Sequence, residues 1–154
     1  MNAQTAAQGQ AAQSAKPTQA IEIGRVLSVG SSKAMVRLNN NVIRKGLLHL
    51  AQIGTILKII TRDSLVIVMV STLKIGGADE EGLGDGCIAQ VDILGEISTN
   101  QTTKATKFFR GVRSFPVLNE AVVTMSQIEL ELIFNRESEQ CISVGKLHQD
   151  KSIV

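Results

Sequence analysis

From Ile21 onward, apolar residues recur at every second position in short runs separated by polar clusters. This is the period of a strand with one buried face. Ile21, Ile23, Leu27 and Val29 oppose Glu22, Gly24 and Ser28, which predicts a first strand. Gly30-Ser31-Ser32 is a turn. Ala34, Val36 and Leu38 then alternate with Lys33, Met35 and Arg37 as its hairpin partner. Asn39-Asn40-Asn41 is a second turn, because asparagine tolerates left-handed backbone and bonds its own main chain. Val42–Ala51, with Arg44, Lys45 and apolar residues around His49, is read as a strand with a wide loop. Ile56–Ile60 is a strand, Arg62-Asp63-Ser64 a tight turn, and Leu65–Val70 an all-apolar run of the kind found in a strand covered on both faces. In Cys87–Ile97, Cys87, Ala89, Val91 and Ile93 face one way, while Gln90, Asp92 and Glu96 face the other. Ser98–Thr106 is a polar loop. Cys141–Val144 is a last short strand.

Phe108–Phe134 is the stretch on which this pattern turns. It holds all four aromatic residues and one of the two prolines. Pro116 lacks a backbone donor and keeps Phe115 out of the helical region. Ala121–Met125 favours a strand. Ser126 followed by Glu129 then has the spacing of a capping box. Gln127–Leu132 also alternates like a strand. The box, and a stripe of Ile128, Leu132 and Ile133, favour a helix. The whole reads as an all-β chain: a small closed or partly open barrel of six to seven strands, with one short helix near the C-terminus. Residues 1–20, rich in Ala and Gln, are expected to be a tail. Residues 21–124 are expected to form the barrel, and residues 125–154 the helix, the last strand and an exit linker.

Composition narrows the function. Of 154 residues, 44% are hydrophobic and 19% charged, which suits one globular domain. Aromatics are only 3%, so Ile, Val and Leu must build the core, and stacking platforms for single-stranded nucleic acid are scarce. A net charge of +2 does not by itself imply a phosphate-binding surface. With no apolar run of membrane length and no signal-peptide core, the expected compartment is the cytoplasm.

Candidate chemistry is sparse. Cys87 and Cys141 lie far apart without a metal-ligand pattern and read as small hydrophobes. His49 has no accompanying carboxylate or nucleophile and reads as a partly buried packing residue. Lys74–Gly86, with Gly82, Gly84 and Gly86 among Asp79, Glu80, Glu81 and Asp85, fits neither a phosphate loop nor a calcium loop and reads as a solvated hairpin loop. Asp92 and Glu96 lie roughly 13 Å apart by strand rise, about twice too far for a retaining glycosidase pair, so both read as solvated.

A set of motifs occurs in order along the chain. Ile23-Gly24-Arg25-Val26 opens the first strand and Gln52-Ile53-Gly54 precedes another. Val91-Asp92-Ile93-Leu94-Gly95-Glu96 follows, then Arg110-Gly111-Val112 with Phe115-Pro116. Last comes Ile142-Ser143-Val144-Gly145 with Leu147-His148-Gln149-Asp150. Over residues 21–154 this set resembles the N-terminal barrel of HerA-type DNA translocases, the HAS barrel shared with rotary ATP synthase subunits. The resemblance implies a hexameric ring ATPase of the HerA and FtsK class that moves along duplex DNA with ATP and magnesium. Its barrels form a collar that docks a NurA-type nuclease or an antiphage effector. Leu147, His148, Gln149 and Asp150 then lead toward an ATPase domain whose phosphate loop would lie beyond Val154. The first twenty residues match nothing in the family pattern.

Two classes of function compete. One is an assembly and docking module with no cofactor or chemistry of its own, for which Phe108, Phe109, Arg110, Arg113 and Phe115 are the candidate contact residues. The bland alternative makes the phenylalanines core and the arginines solvated. The other class is an OB-like nucleic-acid-binding barrel, which needs a basic groove with aromatics, whereas the cations here are scattered from Arg25 to Arg113. An enzyme ranks last, because no catalytic constellation is present.

Overall fold

A computed structural model of the chain describes residues 20–76, 86–100, 103–134, 145–147 and 149. The predicted tail up to residue 19, most of the acidic glycine-rich loop, Cys141–Val144, His148 and Asp150 lie outside the described residues.

The fold is mostly β. Among the described residues, seven strands run β1 (Glu22–Val29), β2 (Lys33–Leu38), β3 (Ile56–Ile60), β4 (Leu65–Gly76), β5 (Gly86–Thr99), β6 (Thr106–Arg110) and β7 (Ala121–Thr124). Their order in the sheet is β2-β1-β7-β3-β4-β5-β6, and β2 also pairs with β5. That added pairing closes six antiparallel strands into a barrel and leaves β6 as an extra strand outside the ring. β5 makes this possible by its length. One edge pairs with β4 throughout, while the other serves β2 over Ile88–Asp92 and β6 over Gly95–Thr99.

The barrel interior is aliphatic, as the composition requires. Every ring strand contributes: Ile23, Val36, Leu57, Val66, Val91 and Val122 are all fully buried in one cluster. β2 keeps the predicted alternation, with Ala34, Val36 and Leu38 inward. β4 is covered on both faces. Val66, Val68 and Val70 join the interior, while Ile67 joins a second cluster on the outside of the wall with Ile56, Ile97, Met125 and Leu130. At Gly24 a Cβ would lie 2.2 Å from the carbonyl oxygen of Arg37, so only glycine lets β1 approach β2 this closely.

Three predictions fail locally. Register shifts interrupt β1 between Glu22 and Gly24 on one side and between Val26 and Ser28 on the other. Each shift changes the phase, so Ile23 and Val26 are buried together, while Ile21 is 39% exposed and Leu27 leaves the inward set. Second, Asn40–Ala51 is two short helical segments joined by a turn at Lys45-Gly46, where a turn and a strand with a wide loop were expected. α1 (Asn40–Arg44) is followed by a 3-10 turn over Leu47–Ala51, with left-handed Gly46 between them. Val42 and Ala51 enter the interior cluster from these turns. Third, α2 (Gln127–Phe134) exists, but its buried residue is Leu130. Ile128 is 78% exposed and Leu132 also faces out, so of the expected stripe only Ile133 packs.

The capping box forms as the spacing predicts. The Ser126 amide donates to Glu129 Oε2 at 2.8 Å, and the Glu129 amide donates to Ser126 Oγ at 3.4 Å. Glu129 has a second task. Lys58, on the outer face of β3, donates to its Oε1 as a largely buried ion pair that fastens α2 to the wall. Burial raises the Glu129 pKa, but bonds from Lys58 and from the backbone and hydroxyl of Ser126, with the Lys58 charge, outweigh it and hold the carboxyl below its ordinary value.

Candidate docking surface

The predicted contact residues lie on and just after the hairpin that leaves the barrel. Asn100 shapes its turn: its amide donates to the Ala105 carbonyl (2.9 Å), and its Oδ1 accepts from the Thr103 amide (3.1 Å). Lys104 takes the left-handed conformation there, with φ of 56°. β6 returns along β5 with Phe108 opposite Ile97 and Phe109 opposite Glu96. Facing residues of an antiparallel pair lie on the same side, so Phe109 and Lys107 share one face, and Phe108 and Arg110 the other.

The five residues therefore do not make one patch. Phe108 is partly buried against the outer cluster and over Gly95, where a Cβ would meet its ring at 2.8 Å. Its ring thus packs partly on the wall. Phe109 stays 37% exposed, with the Arg113 guanidinium 4.9 Å from its ring centroid. Arg110 is exposed beside Phe108, Ile133 and Phe134. Phe115 is exposed on the following loop with Val117 and Leu118. That loop is well braced. Pro116 is buried, the Val117 amide donates to Glu120 Oε2 (2.9 Å), and the Asn119 amide donates to the Val26 carbonyl (2.8 Å).

Sequence reasoning placed Glu96 in solvent, and the structure buries it to 2% exposure. The register shift between Ile67 and Val68 absorbs Leu94 and reverses the phase of β5, so Glu96 stands opposite inward-facing Val66. Its carboxylate is met by the chain reversal at Gly111, whose φ is 86°. The Arg113 amide donates to Oε2 at 3.0 Å, and Arg113 Nε lies 3.7 Å from Oε1. Asp92, before the shift, accepts from Ser71 Oγ at 3.2 Å at a half-exposed site. The two carboxylates thus face different surroundings.

On the far side of the wall, an open cleft of about 500 Å³ is lined by His49, Leu50, Thr124, Leu130, Leu147 and Gln149, among others. His49 is exposed, correcting its reading as partly buried, and its Nδ1 lies 3.2 Å from the Gly46 carbonyl. Leu147 packs on the outer cluster. Gln149 Oε1 accepts from the Ile56 amide (2.7 Å), and its Nε2 donates to the Ile56 carbonyl (2.9 Å). β7 ends at Thr124, opposite Leu57, so the Gln149 amide takes the ladder position that β7 leaves open. Cys87 is partly buried against the interior cluster. Among the described residues, no three His, Cys, Asp or Glu side chains gather as a metal site, and no helix is long and apolar enough to cross a membrane.

No family model matches this chain, and no curated protein sequence matches it significantly.

Proposed function

We propose that this barrel is an assembly and partner-docking module of a HerA-type, ATP-driven hexameric DNA translocase, acting in the cytoplasm with a nuclease or other effector in DNA repair or antiphage defence. The observation that carries the reading is a set of apolar and cationic side chains held exposed on braced backbone: Phe109, Arg113, Phe115, Val117 and Leu118. Rigid, exposed aromatic and arginine residues suit an interface, since little side-chain entropy is lost on binding. The motif resemblance supplies the family, and the closed antiparallel barrel fits it. Gly24, Gly95 and Gly111, each within one of the resembling motifs, stand at two close strand approaches and one chain reversal.

ATP and magnesium belong, in this reading, to an ATPase domain beyond Val154. The chain itself has no GK[ST] loop to hold a nucleotide phosphate. An OB-like DNA-binding barrel is the second reading. It is favoured by Lys104, Lys107, Arg110 and Arg113, with no acidic residue from Ser98 to Asn119. A barrel of a rotary-type ATPase subunit is the third reading, and it rests on the same motif resemblance.

The test uses the full-length gene product. Light scattering should give a hexamer, and duplex DNA should stimulate ATP hydrolysis. Arg110→Ala with Arg113→Ala should reduce the assembled fraction or partner capture while thermal unfolding stays near that of the parent. A monomer without ATPase activity, or unchanged assembly in the double variant, would overturn the respective assignment. A steep salt dependence of DNA affinity in the barrel alone would favour the second reading.

A further inference from the structure

We infer that the outer edge of β6 receives an extended acidic segment of a partner protein as an added strand. The inference deepens the docking reading and rests on it for the existence of a partner. Among the described residues, β6 is the last strand of the sheet and pairs only with β5. Among the described residues, no backbone group of Thr106–Arg110 bonds to any other element. Such an edge presents a row of donors and acceptors that an extended chain satisfies.

The two faces of this strand say what the added chain must carry. On one face a groove of about 410 Å³ is lined by Ser98, Lys107, Phe109 and Arg113, among others. On the opposite face a groove of about 390 Å³ is lined by Phe108, Arg110, Ile133 and Phe134, with Ile93 and Leu94. Each groove therefore offers phenylalanine and at least one cation. Alternate side chains of an added strand fall into alternate grooves. Acidic and apolar side chains on both faces match this lining.

A second copy of the chain is a poor occupant. Pairing β6 with itself would bring two sets of Lys104, Lys107 and Arg110 together. Charge on an edge also serves to keep it unpaired. That role needs neither a 37% exposed Phe109 nor a groove on each face.

The experiment uses the full chain and a fluorescent peptide repeating glutamate-glutamate-valine-valine, which puts both residue types on each face of a strand. Anisotropy should show saturable binding that weakens as salt rises. Amide exchange should slow at the alternate residues of Thr106–Arg110 whose N–H groups face the open edge and not β5. Lys107→Glu with Arg110→Glu should lose about tenfold or more in affinity. Both side chains are exposed, so the fold should hold, and the charge-reversed variant should instead bind a peptide repeating lysine-lysine-valine-valine. Equal binding of both peptides to the parent, or no saturable binding, would overturn the inference. So would an oligothymidylate that binds this surface when the acidic peptide cannot compete. Peptide binding by a protein that neither assembles nor hydrolyses ATP would sink the translocase reading and leave this one standing.

Discussion

Glu96 and Glu129 are two carboxylates fastened to the same barrel by different means. Glu96 stands on the inward phase of β5 and is held by a backbone amide of the Gly111 reversal, with the Arg113 guanidinium outside it. Arg113 remains 74% exposed. Glu129 stands on a helix outside the wall, and its cation, Lys58, is itself 11% exposed. At Glu96 the fixed donor is main chain, and the charged partner is optional. At Glu129 the partner is a second charge already removed from water, so neither is tolerable without the other.

This contrast can be broken most forcefully at the buried pair. Lys58→Ala or Glu129→Ala should cost about 3 kcal/mol in denaturant unfolding, because each strands a charge. Lys58→Met with Glu129→Leu should recover most of it. The same pair sets a pH dependence. The Glu129 pKa is lowered in the folded state, so its contribution is fully present above the ordinary value of 4.5 and is lost as pH falls through the depressed folded value. The acid limb of the stability curve should flatten in the double variant. If single and double variants unfold alike, the two residues are not coupled.

Glu96→Gln should cost roughly 1–2 kcal/mol, the loss of a charge-assisted bond to a buried acceptor, read by the same unfolding assay. Ser126→Ala should cost about 1 kcal/mol through the lost cap, with helical signal at α2 falling first. Arg113→Ala should change stability by less than about 0.5 kcal/mol, since its guanidinium is solvated. A cost for Arg113→Ala near that of Glu96→Gln would erase the proposed difference between the two carboxylates.

Much of the wall was legible from alternation alone. β2 and β3 follow period two along uninterrupted ladders with β5 and β4, and β4 does so over Leu65–Val70, where the extra residue of its register shift falls on β5. The capping box was legible because both of its halves are local. Glu96 was not, because its burial depends on an extra residue at Leu94 that reverses the phase and leaves no composition signal. Asn39–Ala51 was misread because Val42 and Leu47–Leu50 suit several backbone paths, and the barrel interior chose the helical one. The α2 stripe was misassigned because the anchor is the bond from Lys58 on β3 to Glu129, and that contact fixes which side of the helix turns inward. Of the contact residues, Phe109, Arg110, Arg113 and Phe115 are exposed as docking requires. Phe108 was assigned by residue type, without the knowledge that Gly95 makes room for its ring.

The Gln149 side chain holds both main-chain groups of Ile56, the first residue of a strand flanked by β4 and β7. Tension on the chain around residue 149 would load those two bonds together. From Ile56 the pull would pass as shear into two neighbouring ladders at once. Mechanically, one glutamine couples the segment around residue 149 to half of the barrel staves.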